Sequence, residues 1–234
     1  MVTSATEQEG KSTTIANLAI AMARSGQHVV LIDLDLRRPY IDRFFNLGGR
    51  PGLTQVALGM AQLGEAIVRV PIGSSDSAAA TYGSRNGNSN GNSNASNGQA
   101  SRRLIRGALD VLPSGPIPPD PGEFVGTARL TEILEHIRAH ADVVLVDAPP
   151  LLHVGDGLTL SAKVDAVLVV TRMEMMRRPI LGELERLLET MPAHKLGFVV
   201  TGAEEEEGYG SGYGYGGYHY HRAYGPRQKE STRT

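Results

Sequence analysis

The 234-residue sequence has no cysteine and no tryptophan. The first absence removes disulfides, thiolate metal sites and cysteine nucleophiles together. An excess of one charge is missing too: 23 Lys plus Arg face 25 Asp plus Glu, a formal net charge of −2. That balance gives no reason to expect nucleic acid as a partner. No apolar run approaches the roughly 18 residues of a membrane-spanning helix, and the N-terminus lacks a signal-peptide pattern. A cytoplasmic globular chain is the resulting expectation.

Two segments depart from this average. From Gly73 to Ser101 there is no Val, Ile, Leu, Met or Phe, while Gly, Ser and Asn dominate. Such a stretch buries too little apolar surface to offset its ordering entropy, so 73–101 reads as a disordered surface insertion. Its Asn94-Ala95-Ser96 sequon is taken as chance. From Gly202 onward, 33 residues hold six of the eight tyrosines and eight glycines. The division expected is therefore one domain over 1–201, interrupted at 73–101, and a flexible tail over 202–234.

The rest alternates strand and helix patterns. Val29-Val30-Leu31-Ile32, Val143-Val144-Leu145-Val146, Ala166 to Val170 and Phe198-Val199-Val200 predict strands buried on both faces. Ile15, Leu18, Ala19 and Met22 recur at helical spacing before Gly26, a C-terminal stop. Phe124–His140 and Arg178–Met191 predict two more helices. Asp120 would cap the first, with Pro121 at its first position and Glu123 closing a capping box. Met1-Val2-Thr3 is short for a first strand, as in a stunted strand or a domain cut from a longer chain. The predicted class is α/β, a wound and mainly parallel sheet with helices on both faces.

Three motifs carry chemistry. Ala5-Thr6-Glu7-Gln8-Glu9-Gly10-Lys11-Ser12 fits the phosphate-loop pattern A/G-x4-G-K-S/T ahead of a helix. Successive backbone N–H groups and the helix N-terminus favour an anion, Lys11 reaches phosphate, and Ser12 can ligate Mg²⁺. Ala5, Glu9, Gly10, Lys11, Ser12 and Thr13 are the candidate nucleotide contacts. The second motif, Leu31-Ile32-Asp33-Leu34-Asp35-Leu36-Arg37-Arg38-Pro39, places two carboxylates at a strand's C-terminal end, where wound sheets bind ligands. The third is the apolar strand ending at Asp147, a Walker B arrangement. Each alone is weak, since a chance Gly-Lys-Ser turn or a solvated Asp turn would look the same. Together they form one constellation.

In this order the motifs resemble the bacterial tyrosine kinases (BY-kinases) of capsule and exopolysaccharide synthesis. Residues 110–123 (DVLPSGPIPPDPGE), Gly52-Leu53-Thr54 and Leu152-His153-Val154-Gly155-Asp156 continue the likeness, which covers most of 2–201 outside the insertion. The tyrosine-rich tail matches the family's C-terminal cluster. The resemblance implies a P-loop NTPase fold using ATP and Mg²⁺, with autophosphorylation in trans within a ring-shaped homo-oligomer. Lys11 and Ser12 would bind phosphate and metal, Asp33 would accept or position the tyrosine proton, and Asp35 and Asp147 would hold Mg²⁺. The acceptors would be Tyr209, Tyr213, Tyr215, Tyr218, Tyr220 and Tyr224. Implied partners are a membrane polysaccharide co-polymerase or activator, separate or fused upstream, and a cognate phosphatase. The implied location is the inner face of the plasma membrane.

Two positions depart from the family pattern. Glu7-Gln8 replaces the usual Pro-Gly, so a positive φ is expected near a non-glycine, which would weaken nucleotide binding. Thr201-Gly202 stands where relatives often carry Asn-Gly, an Asn associated with the adenine base. Two other readings use the same motifs. A ParA- or MinD-like positioning ATPase would carry a signature Lys where this chain has Thr6, and would not need the tyrosine tail. A catalytically idle adaptor of a polysaccharide co-polymerase would keep the fold without the chemistry.

Overall fold

A computed structural model of the protein describes residues 1–72 and 107–203. The whole of the expected insertion over 73–101 and the tail beyond residue 203, with its six candidate acceptor tyrosines, lie outside the described residues. In chain order the elements are β1 (Val2–Ser4), α1 (Lys11–Arg24), β2 (His28–Asp33), α2 (Ile41–Phe44), α3 (Leu53–Ala57), α4 (Leu63–Ala66) and β3 (Val68–Val70). They continue with β4 (Ala108–Leu112), α5 (Pro121–Gly126), α6 (Ala128–Arg138), β5 (Val143–Asp147), α7 (Asp156–Ser161), β6 (Ala166–Arg172), α8 (Arg178–Thr190) and β7 (His194–Thr201). The sheet runs β3-β4-β2-β5-β1-β6-β7, parallel throughout except for β3 against β4. The expected wound α/β architecture is therefore present.

Alternation along β2 shows why helices cover both faces. Val29 and Leu31 pack with Ile15, Ala16, Ala19 and Ala23 of α1. Val30 and Ile32 face the opposite layer, with Leu130 and Ile133 of α6, Leu160 of α7 and Leu184 of α8. Each buried Val, Leu or Ile among them contributes about 2 kcal/mol, and each alanine less than half of that. The buried stripe of α1 is built on alanines as much as on the expected Leu18 and Met22, which are only partly buried. β1 manages with three residues because it lies between β5 and β6, Val2 registering with both Asp147 and Leu168. Its ends are held as well: Thr3 donates to Pro149 O at 2.7 Å, and Leu151 N–H donates to Ser4 O at 2.8 Å.

Several elements differ from expectation. The helix predicted over 124–140 is two helices, broken at Thr127, whose ψ of 147° is extended and whose hydroxyl caps α6 at Leu130 N. Asp120 caps α5 through Glu123 N at 2.9 Å, which is the Asp120 half of the expected capping box. β7 is an edge strand with Leu196, Phe198 and Val200 exposed on one face, so it is not buried on both sides. β3 and β4 were not expected. β4 was hidden by Asp110 in mid-strand, whose carboxylate is satisfied by His28 at 2.7 Å and Arg69 at 2.8 Å.

Candidate active site

β1 leads into the phosphate loop, and the loop ends at α1. Gly10 is the N-cap of α1, with φ 90° and no side-chain cap, so the first helical N–H groups are left to a ligand. Gln8 has φ 63°, the positive value expected there, in a residue that does not favour it. Ala5 departs from expectation: it is wholly buried, and its carbonyl accepts Leu152 N–H at 3.2 Å. It supports the loop from behind and does not line the cleft.

Neighbouring strands supply the charges. β2 and β5 are in register at Asp33 and Asp147, which sets two carboxylates side by side at the sheet's C-terminal edge. Lys11 Nζ lies 2.7 Å from Asp147 Oδ1, 3.1 Å from Asp35 Oδ2 and 3.1 Å from Ser12 Oγ. Burial penalises the Lys11 charge, yet Asp147 and Asp35 outweigh it and raise its pKa. Burial likewise raises Asp147, against the pull of Lys11. Asp33 is pushed up to about 8, by burial first and by Asp147 second.

Asp33 does not open onto the cleft in this conformation. Its Oδ2 accepts Tyr40 N–H and Ile41 N–H, both at 3.1 Å, and its Oδ1 accepts Asp35 N–H at 3.2 Å. Its carboxylate anchors the loop over 34–40. Asp35 is the member of the pair that lines the cleft. A magnesium ion fits this donor set: Asp147 Oδ2 is buried without a hydrogen-bond partner, and Asp147, Asp35 and the Ser12 hydroxyl converge on the same Lys11 ammonium. Two carboxylates and a hydroxyl, completed by phosphate oxygens and water, are the usual surroundings of Mg²⁺ at a phosphate site.

The cleft has a volume of about 320 Å³ and its rim brings in residues the motifs did not assign. Glu7 pairs with Arg38 and lies 3.6 Å from His153 Nδ1, joining the loops after β1, β2 and β5. Arg37 Nε and Nη2 reach Asp156 at 2.8 and 3.3 Å. Arg38 lies within the Leu31–Pro39 motif, without a role there, and His153 follows Walker B, but no spacing rule says that they share a rim. Behind the loop a second cavity of about 420 Å³ is bounded by Thr13, Thr14, Asn17, Arg172 and Thr201. The Thr201 hydroxyl donates to Glu9 O at 2.8 Å. Gly52-Leu53-Thr54 docks on the Pro-rich segment, with Leu53 N–H donating to Pro113 O at 2.8 Å and Thr54 N–H to Ser114 O at 2.9 Å. Gly52 is required there, since a Cβ would stand 2.2 Å from Gly115 N.

Comparison with known proteins agrees with this geometry. Residues 1–200 match the CobQ/CobB/MinD/ParA nucleotide binding domain. The chain is 32% identical to tyrosine-protein kinase YwqD of Bacillus subtilis over 213 residues, covering 89% of this chain and 76% of YwqD. Against tyrosine-protein kinase etk of Escherichia coli it is 29% identical over 172 residues, covering 74% of this chain and 19% of that longer protein. The solved kinase domain of Escherichia coli tyrosine kinase ETK superposes with a TM-score of 0.68 at 26% identity, covering 92% of this chain and 71% of that one. The septum site-determining protein MinD of Pyrococcus horikoshii, solved with Mg-ADP, shares the fold: TM-score 0.57, 19% identity, 85% of this chain and 68% of that one. Among the described residues no helix is long and apolar enough to cross a membrane.

Proposed function

The chain belongs to the bacterial tyrosine kinases within the CobQ/CobB/MinD/ParA nucleotide-binding family, and we propose that it phosphorylates its own tail tyrosines in trans, using ATP. In this proposal the modification regulates polymerisation and export of an exopolysaccharide or capsule, through a membrane co-polymerase and a cognate phosphatase. The observation that carries the reading is the gathering of Asp35 and Asp147 within 3.1 Å of the Lys11 ammonium, at the mouth of a loop that leads into a helix with no side-chain cap.

Chemically, a phenolic oxygen of the tail bonds to the γ-phosphorus while the bond to the β–γ bridging oxygen breaks and ADP leaves. Lys11 and the N-terminus of α1 hold the phosphates. Asp35, Asp147 and Ser12 would hold Mg²⁺, which neutralises charge on the phosphates when bound. Asp33 is the proposed acceptor of the phenolic proton; for that step it must first give up the proton that its burial retains, and the Tyr40 and Ile41 amides must release it. A loose transition state asks little of this base before the new bond forms, so positioning dominates.

Intact mass after incubation with ATP and Mg²⁺ tests the proposal. Additions of ~80 Da per phosphoryl group that vanish in Lys11→Met support the kinase. An unchanged wild-type mass overturns it and favours the idle adaptor. Six phosphotyrosines would add roughly −9 to −12 to the tail, expelling it from sites that hold ATP and loosening a ring. Sizing before and after phosphatase treatment checks this, and the same assembly in both states would refute it.

A further inference from the structure

Glu9 is 1% exposed, sits inside a loop built to receive a polyanion, and has no cationic partner among the described residues. A carboxylate there opposes nucleotide binding electrostatically, so its contribution has to be geometric. Its Oε2 accepts Thr6 N–H at 2.7 Å, from the start of the same loop. Its Oε1 accepts the Thr171 hydroxyl and Arg172 N–H at 3.4 and 3.5 Å, from the end of β6. Its own carbonyl accepts the Thr201 hydroxyl at 2.8 Å, from the end of β7. The residues on either side, Gln8 and Gly10, both have positive φ, which is strained at Gln8 and free at Gly10, so Glu9 stands beside the strained residue of the loop.

We infer that Glu9 is a positioning residue that pins the phosphate loop to the ends of β6 and β7, so that nucleotide binding is transmitted to Thr201-Gly202, the root of the tail. The inference rests on the nucleotide reading of the cleft proposed above. Gly202 lies against the same strand end: it has φ 71°, and a Cβ on it would stand 3.0 Å from the Arg172 side chain, so glycine is favoured where β7 ends. A loop ordered by phosphate thus holds Glu9, Glu9 holds Thr201, and the segment that carries the tyrosines starts from a fixed point.

Hydrogen exchange and MgATP titration on the full chain test this in wild type, Glu9→Gln, Thr201→Val and Thr201→Ser. A Gln amide nitrogen donates and cannot replace the second accepting oxygen. Glu9→Gln is therefore expected to speed exchange at 6–10 and at Arg172 without nucleotide, to speed it at 199–203 because the loosened loop no longer holds the Glu9 carbonyl against Thr201, and to weaken MgATP binding roughly tenfold. In wild type, MgATP should protect 199–203, and that protection should be lost in Glu9→Gln and Thr201→Val but retained in Thr201→Ser, which keeps the hydroxyl. Unchanged nucleotide-free exchange at 199–203 in Glu9→Gln overturns the inference, whatever the wild type binds. So does wild-type MgATP affinity in that variant. Failure of the wild type itself to bind MgATP counts against the kinase reading, while the nucleotide-free comparison still decides the role of Glu9.

Discussion

The two sides of the phosphate loop are held by different forces. Toward β2 and β5 the ties are charges: Lys11 between Asp35 and Asp147, with Asp33 buried behind them. Toward β6 and β7 they are hydrogen bonds to Glu9 from hydroxyl and backbone donors. The charged side is a set of ionic contacts that must rearrange when phosphate and metal enter. The hydrogen-bonded side has no ion pair to give up to the ligand and can stay in place as a hinge. One loop thus combines a replaceable electrostatic face with a fixed one.

Substitutions on the two sides should separate sharply. The largest effect belongs to Lys11→Met, which removes the ammonium from the phosphate site and should lower tyrosine phosphorylation by about 10³-fold in a radiolabel assay. Retained activity would show that the charged side is not where transfer occurs. Asp35→Asn comes next, with a loss of about 10²-fold and a raised Mg²⁺ requirement, read by titrating the metal at saturating ATP. A loss of activity with an unchanged metal requirement would remove Asp35 from the metal site.

A smaller effect appears in stability against pH. Asp33 is raised from 3.8 to about 8 in the folded protein, so between these values the folded state holds a proton that the unfolded chain releases. Stability without nucleotide should therefore fall as pH rises through that window, and Asp33→Asn should flatten the slope. Melting temperatures at pH 5 and pH 8 check this, and a melting temperature that rises with pH in wild type would contradict it. The smallest change is Gln8→Gly, which relieves a φ of 63° and should stabilise by about 1 kcal/mol, a few degrees in melting temperature. A lower melting temperature would show that the Gln8 side chain makes a contribution larger than its backbone strain.

How much could be read in advance follows from burial. β2, β5 and β6 announce themselves because strands covered on both faces are almost wholly apolar, and the residues ending β2 and β5 then carry Asp33 and Asp147. β4 escaped because Asp110 interrupts it, and only Arg69 and His28, distant in sequence, make that carboxylate tolerable. The break at Thr127 escaped because the apolar period runs on through it, and periodicity does not register one extended residue. β7 kept an apolar row although one face is exposed, so its edge position was hidden by its own composition.

The sequence by itself determined the wound sheet, the phosphate loop at 5–12, the positive φ at Gln8 and the family. Each of these follows from short-range pattern: residue type, spacing, and the dihedral that a tight loop demands. Only the tertiary structure decided that Asp35 and not Asp33 faces the cleft, that Ala5 lies behind the loop, and that Glu9 is tied to Thr171 and Thr201. Those facts depend on which strands are neighbours. That order is set by the packing of helices on two faces, and no local signal in the chain records it.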